Sequence, residues 1–346
     1  MSKAVKVGNL YIGDGNPVTV QTMTNVKTAD VQALLTQVDE LQNVGADIIR
    51  ITVDSKESVN GFSAAVKKAH VPIVADIHYD ADLALRAIEA GAHKIRINPG
   101  NMSESGLRKI CESLKYYGVP VRVGVNSGSI AKEFYDKYKN SSTALVESAL
   151  QNVSLLEKYG IQDIVISVKS SDTKTMVEAY RELAKRTVYP LHLGVTEAGG
   201  GESAIIKSSI GIGSLLLDGL GDTIRVSMSD EPKREVEVGK SILNFLGIDK
   251  NFVDIVSCPT CGRTEFDVIG CSARLQNRFK KVRVPLKIAV MGCVVNGLGE
   301  GKEADFGIAG GKNKSIIFAR GEKIALVENE KAEQFLVDLV YKSING

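Results

Sequence analysis

Along the first two thirds of the chain, short runs of β-branched and other apolar residues alternate with longer stretches whose apolar positions recur every three to four residues. The strand-like runs are VTVQTM (18–23), ADIIRITV (46–53), VPIVADIHY (71–79), HKIRINPG (93–100), VPVRVGVN (119–126), DIVISVKS (163–170), YPLHLGVTE (189–197) and DTIRVSMS (222–229). Between them lie segments such as ADVQALLTQVDELQNVGA and SSTALVESALQNVSLLEKYG, which have a helical period and close on a glycine suited to end a helix. Eight strand-then-helix units in about 230 residues predict a TIM barrel rather than an open doubly wound sheet. Residues 4–13 predict a small hairpin ahead of the first barrel strand.

Beyond about residue 250 the theme changes. FVDIVSCP and LKIAVMG predict strands with a helix between them over 263–281. DFGIAG, SIIFAR and KIALVE predict short strands, and EKAEQFLVDLVYKSI a closing helix. The expected fold class is therefore α/β, a (β/α)8 barrel over 1–248 followed by a smaller α+β domain over 249–346, with the boundary near GIDK.

Charge adds little at the level of the whole chain. Lys plus Arg number 43 against 41 Asp plus Glu, so the net charge is +2, which gives no reason to expect nucleic acid or an anionic membrane as partner. The opening MSKAVKVGNLYIGDG has no apolar core of a signal peptide, and no run reaches the roughly 18 apolar residues of a membrane span. A cytoplasmic location is expected. The five cysteines then read as thiols of a reducing compartment, where clustered cysteines are more often ligands than disulfides.

Inside the barrel, the alternation of side chains changes the picture. Every second strand residue faces inward, and active sites form at the C-terminal ends of the strands. Those positions hold Arg50 and Thr52, Asp76 and His78, Lys94, Arg96 and Asn98, Arg122 and Asn126, Ser167 and Lys169, His192, and Arg225 and Ser227. A barrel interior is ordinarily Val, Ile and Leu. Here only Asp76 and Glu197 are visible as internal counter-ions to Arg50, Arg96, Arg122, Lys169 and Arg225. Buried cations need anions, and forked guanidinium groups suit phosphate. Glu197 ends the seventh strand beside the Gly-rich AGGGES and is the acid–base candidate, with a counter-ion to Lys169 as its bland reading. Lys207 on the next helix reads either as a phosphate contact or as a solvated face.

Cys258-Pro-Thr-Cys261 follows one predicted strand and Cys293 another, in MGCVVNG. Three sulfurs leave a metal centre one ligand short, and Glu300 in GCVVNGLGEG is an oxygen candidate. The second domain contains no histidine, which favours an iron–sulfur cluster over zinc. Cys271 and Cys111 lie in predicted helices and read as packing residues. RFKKVR (278–283) reads as a solvated helix end, or else as a dock for an acidic electron carrier.

With VQTMTN, VADIH, RINPGN, GVNSGS, SVKSSD, LHLGVTEAGG, SCPTCGRTEFDVIG and GCVVNGLGE in place, the chain resembles the 4-hydroxy-3-methylbut-2-en-1-yl diphosphate synthase family, in its two-domain bacterial form. The resemblance implies reductive ring opening of 2-C-methyl-D-erythritol 2,4-cyclodiphosphate with loss of water, using two electrons from reduced flavodoxin or ferredoxin. It implies a 4Fe–4S cluster on Cys258, Cys261, Cys293 and Glu300, and substrate contacts from Arg50, Asp76, His78, Arg96, Asn98, Arg122, Asn126, Lys169, His192, Arg225, Ser227 and Asn296. Glu197 would deliver protons. The implied assembly is a homodimer in which the cluster domain of one subunit closes over the barrel of the other. A transferase of the dihydropteroate-synthase type with a zinc tail is the competing expectation from the barrel alone.

Overall fold

The chain opens with the expected hairpin, β1 (Val5–Val7) and β2 (Leu10–Ile12), paired antiparallel. In the computed structural model, residues 2–130, 132–139, 141–293 and 303–345 are described. Each of the eight strand-like runs then contributes a barrel strand. These are β3 (Thr19–Met23), β4 (Ile48–Thr52), β5 (Ile73–Asp76), β6 (Lys94–Ile97), β7 (Val121–Asn126), β8 (Ile164–Lys169), β9 (His192–Leu193) and β10 (Thr223–Ile224). All pair in parallel, in the order β8-β7-β6-β5-β4-β3-β10-β9, and a bridge between Ile166 and Leu191 closes the ring. Helices follow the strands: α1 (Val31–Asn43), α2 (Lys56–Lys68), α3 (Ala81–Glu89), α4 (Glu104–Tyr117), α5 (Lys132–Tyr138) and α6 (Ser142–Lys158) after β7, α7 (Thr173–Ala184), α8 (Gly201–Leu217) and α9 (Pro232–Phe245).

Local chemistry sets these boundaries. Asp30, Ser55, Asp80, Ser103 and Asp172 each cap a helix by accepting a backbone N–H from its first turn, a contribution of about 1 kcal/mol apiece. Strands β9 and β10 are far shorter than their sequence runs. Pro190 brings no N–H to the ladder, and regular pairing stops where the chain must turn into the loops above the barrel.

Outward-facing strand residues such as Ile51, Ile95, Val123 and Val168 pack against the helices in one continuous core. The inward face differs by level. At the N-terminal end, Val5, Val7 and Ile12 of the hairpin pack on Ile48, Val74 and Val165, all fully buried. Burying each aliphatic side chain contributes roughly 1.5–3 kcal/mol, so the hairpin is a firmly seated floor.

The described residues divide into two compact units, Met1–Ile248 and Asp249–Gly346. In the second, β11 (Val253–Ser257), β12 (Leu286–Met291) and β13 (Phe306–Ala309) run parallel, followed by antiparallel β14 (Lys314–Ala319) and β15 (Glu322–Glu328). Helices α10 (Val268–Phe279) and α11 (Asn329–Asn345) cover one face through Val268, Cys271, Leu275, Leu336 and Val340. The helix expected over 263–281 begins only at Val268, capped by Asp267, because the preceding residues form the loop that carries two cysteines. Among the described residues, no helix is long and apolar enough to cross a membrane.

Candidate active site

At the C-terminal end of the barrel the inward positions enclose a cavity of about 260 Å³, lined by Arg50, Asp76, His78, Arg96, Arg122, Asn126, Ser167, Lys169, Thr196, Arg225 and Ser227. Among the described residues, five basic side chains thus face one carboxylate. Asp76 takes Arg96 Nη1 at 3.4 Å, His78 Nε2 at 3.5 Å and Arg50 Nη1 at 3.9 Å. Burial by itself would raise its pKa, but Arg50, the His78 hydrogen bond, Arg96 and Arg122 outweigh that and hold it well below the carboxylate range. It is therefore ionised throughout the working range of pH. The stability it contributes is present above its unfolded pKa and is lost only in strong acid.

Burial followed by neighbouring cations works the other way on Arg122 and Lys169, lowering both well below their usual values. Arg122 is 1% exposed, and its Nε and Nη1 have no partner among the described residues. Since a guanidinium stays protonated, the ring is short of negative charge and can be completed by an anion. Gly124 makes room for it. A Cβ there would stand 2.6 Å from Arg96 Nε, so only glycine lets that guanidinium lie flat across β7.

One carboxylate of the site is absent from the strand pattern. Glu235, on α9 and 4% exposed, accepts Arg225 Nε (3.4 Å) and Nη2 (3.3 Å), the Thr22 hydroxyl (3.2 Å) and the Met228 N–H (3.0 Å). It holds Arg225 toward the cavity. Removing one partner of such a buried pair costs about 3–5 kcal/mol. Glu235→Ala is therefore expected to lower the urea midpoint markedly. Glu235→Gln, which keeps the shape, should stay folded while KM for the anionic substrate rises more than kcat falls. An unchanged KM in the Gln variant would remove this positioning role.

Nine of the side chains expected to contact substrate line the cavity, but Asn98 and His192 do not. Both are buried, His192 completely and with neither ring nitrogen partnered among the described residues. Asn296 and Glu300 lie outside the described residues. Glu197 departs from expectation: it is exposed, has a left-handed backbone (φ 51°), and has no ion pair to Lys169 or to any other described residue. It is not an internal counter-ion, because β9 ends at Leu193 and the strand alternation does not extend four residues further. It sits at the rim, next to Thr196 of the cavity wall. Lys207 is exposed on α8.

In the second unit, Cys258 and Cys293 follow the adjacent parallel strands β11 and β12 at the same sheet edge. The Cys258 N–H donates to Val290 O, and the Gly292 N–H donates to Cys258 Sγ at 3.2 Å. Gly292 must be a glycine, since a Cβ would lie 2.9 Å from Thr264 Cγ2 of the cysteine loop. Cys261 is exposed, and a backbone N–H at Arg263 lowers its pKa. Burial instead pushes Cys111 up to about 11 and Cys271 up to about 12. Amide donors thus meet the thiols at the sheet edge, while the helix thiols are held protonated. That donor set fits a thiolate-bound centre. Among the described residues no three His, Cys, Asp or Glu side chains converge as they would on a single ion.

A (β/α)8 barrel with a cationic cavity at its strand ends, joined in one chain to a sheet that carries a thiol edge, defines a class: barrel enzymes that bind an anionic substrate and carry a metal centre. The chain belongs to the GcpE family. Residues 2–240 match the GcpE TIM-barrel domain and residues 254–342 the GcpE protein C-terminal domain. It is 48% identical to a protein of Caldanaerobacter subterraneus subsp. tengcongensis over 99% of this chain and 98% of the relative. It is 47% identical to one of Fusobacterium nucleatum subsp. nucleatum over 100% and 98%, and 47% identical to one of Thermotoga maritima over 100% and 98%. Each relative is named 4-hydroxy-3-methylbut-2-en-1-yl diphosphate synthase (flavodoxin). Among solved structures, a Yersinia pestis dihydropteroate synthase complex aligns at a TM-score of 0.52 with 14% identity, covering 71% of this chain and all of that one. A dihydropteroate synthase of Xanthomonas albilineans aligns at 0.51 with 15% identity, covering 69% and 98%. That likeness is one of barrel fold.

Proposed function

We propose that this chain opens the ring of 2-C-methyl-D-erythritol 2,4-cyclodiphosphate reductively, giving 4-hydroxy-3-methylbut-2-enyl diphosphate and water in isoprenoid biosynthesis. The observation that carries the reading is the five-cation cavity with its single lining carboxylate, in a chain whose full-length relatives are named for that product. The balance is two electrons and one proton taken up, one C–O bond of the ring opened and one hydroxyl lost as water. The substrate dianion becomes a trianion, and the surplus of positive charge serves both.

Arg50, Arg96, Arg122, Lys169 and Arg225 grip the diphosphate, with Asn126 and Ser227 as hydrogen-bond donors, and Asp76 holds Arg50 and Arg96 in place. Asn98, His192 and Asn296 remain part of the proposed substrate environment. The cofactor is a 4Fe–4S cluster held by Cys258, Cys261, Cys293 and Glu300; when bound it supplies the reducing electrons. Glu197, at the rim, delivers the proton to the departing hydroxyl. Reduced flavodoxin, as in the relatives' name, or ferredoxin is the donor, the assembly is a homodimer, and the setting is a reducing cytoplasm.

Anaerobically reconstituted protein, given the cyclic diphosphate and either dithionite or reduced flavodoxin, is expected to form the linear diphosphate, as followed by phosphorus NMR. A fully loaded cluster with no product would overturn the activity. Zinc in place of iron and sulfide would overturn the cofactor assignment.

A further inference from the structure

Lys94 opens β6, two residues before Arg96 and in register with Val74 of β5. It is wholly shielded from solvent, and it does not line the cavity. Its Nζ has no hydrogen-bond partner among the described residues. An ammonium brings three donors and no acceptor, so this position does not welcome one.

The surrounding elements explain why no counter-ion is at hand among the described residues. Arg50 on β4 and Arg122 on β7 are the charges acting most directly on Lys94, and both oppose its protonation. His192 on β9 shares this field, with Lys94 among the charges that act on it, and the buried Gln21 on β3 is uncharged. The two carboxylates buried among the described residues are engaged elsewhere: Asp76 on β5 with Arg50, Arg96 and His78, and Glu235 on α9 with Arg225, which follows β10. A buried amine whose charged neighbours among the described residues are cations is stable as the free base. A multivalent anion held by those same cations reverses the field at Nζ.

We propose that Lys94 is a proton-uptake site: a neutral amine in the ligand-free barrel, and an ammonium once the diphosphate is held by the arginine ring. This rests on reading the cavity as the diphosphate site. Lysine is intrinsically more basic than histidine by about four pKa units, so Lys94 protonates ahead of His192. Lys169 lines the cavity in the same field, so the share of Lys94 is read as a difference between wild type and Lys94→Met. Because the bound state is the more basic one, wild-type affinity rises as pH falls through the window between the two states. Its advantage over Lys94→Met disappears above that window.

The test is isothermal titration calorimetry of the oxidised, cluster-loaded protein with the cyclic diphosphate, anaerobically and without reductant, in two buffers of different ionisation enthalpy. Each phosphorus of the ligand carries one ester and one anhydride bond and so a single, strongly acidic hydroxyl, and the ligand contributes no titrating proton near neutral pH. Wild type is expected to take up protons on binding, and Lys94→Met close to one fewer. Across the window the affinity ratio should change up to tenfold per pH unit. Equal uptake in the two proteins overturns the proposal. So does binding to wild type with no uptake at all, a result that stands even if the variant fails to fold. Absence of any binding heat overturns the site assignment itself, and this proposal with it.

Discussion

Cys293→Ala is expected to abolish turnover while the chain remains folded, with iron and sulfide content and the brown visible absorption falling together. Cys293 follows β12, next to Gly292, whose N–H donates to Cys258 Sγ, which is why it is proposed as a cluster ligand. Removing a thiolate from a centre with three leaves too few ligands to retain it. The instructive control is Cys271→Ala. That thiol is fully buried in α10 against the helix–sheet core, and burial keeps it protonated. Cys271→Ala should lower thermal stability modestly and keep both iron and activity. Iron retained in the Cys293 variant, or lost in the Cys271 variant, would mean that the wrong thiols have been assigned.

Glu197→Gln should lower kcat by about 10²–10⁴-fold, the usual worth of a positioned general acid, with the cluster intact and KM for the cyclic diphosphate little changed. The effect should separate cleanly from stability. Glu197 has a left-handed backbone and no described partner, so its side chain contributes nothing visible to folding. A second variant sharpens the point. Glu197→Gly relieves a backbone that costs a non-glycine residue about 1–2 kcal/mol. It should be at least as stable as wild type and as inactive as the Gln form. Turnover within a few-fold of wild type in either variant would exclude Glu197 as proton donor.

The two carboxylates, Glu197 and Glu235, show where reading from the chain succeeds and where it stops. Period-two alternation placed Arg50, Asp76, Arg96, Arg122, Lys169 and Arg225 around one cavity because a strand has only two faces, and each of these residues lies in or directly after a strand. The same counting misplaced Glu197: β9 ends at Leu193, and beyond it a positive φ sends the backbone elsewhere. Asn98 and His192 are buried but do not line the cavity: Asn98 already lies past the end of β6, and His192 opens the two-residue β9, so alternation says nothing of which level of a strand meets the ligand. Glu235 escaped because it reaches the site from a helix. A signal was available in PKREVEVGKSIL, where a carboxylate interrupts the apolar stripe of Val236, Gly239, Ile242 and Leu243. A charge on the buried stripe of a helix needs a buried partner, and Arg225 was ten residues upstream.

The hairpin seated on Ile48, Val74 and Val165 gives the barrel a sealed lower end. Among the described residues the strand-end mouth is then the way in, so a spent molecule must back out along the path by which the next one arrives. Occupancy by either excludes the other. The linear diphosphate, which carries one more negative charge than its cyclic precursor, should be a competitive inhibitor and the slower of the two to leave.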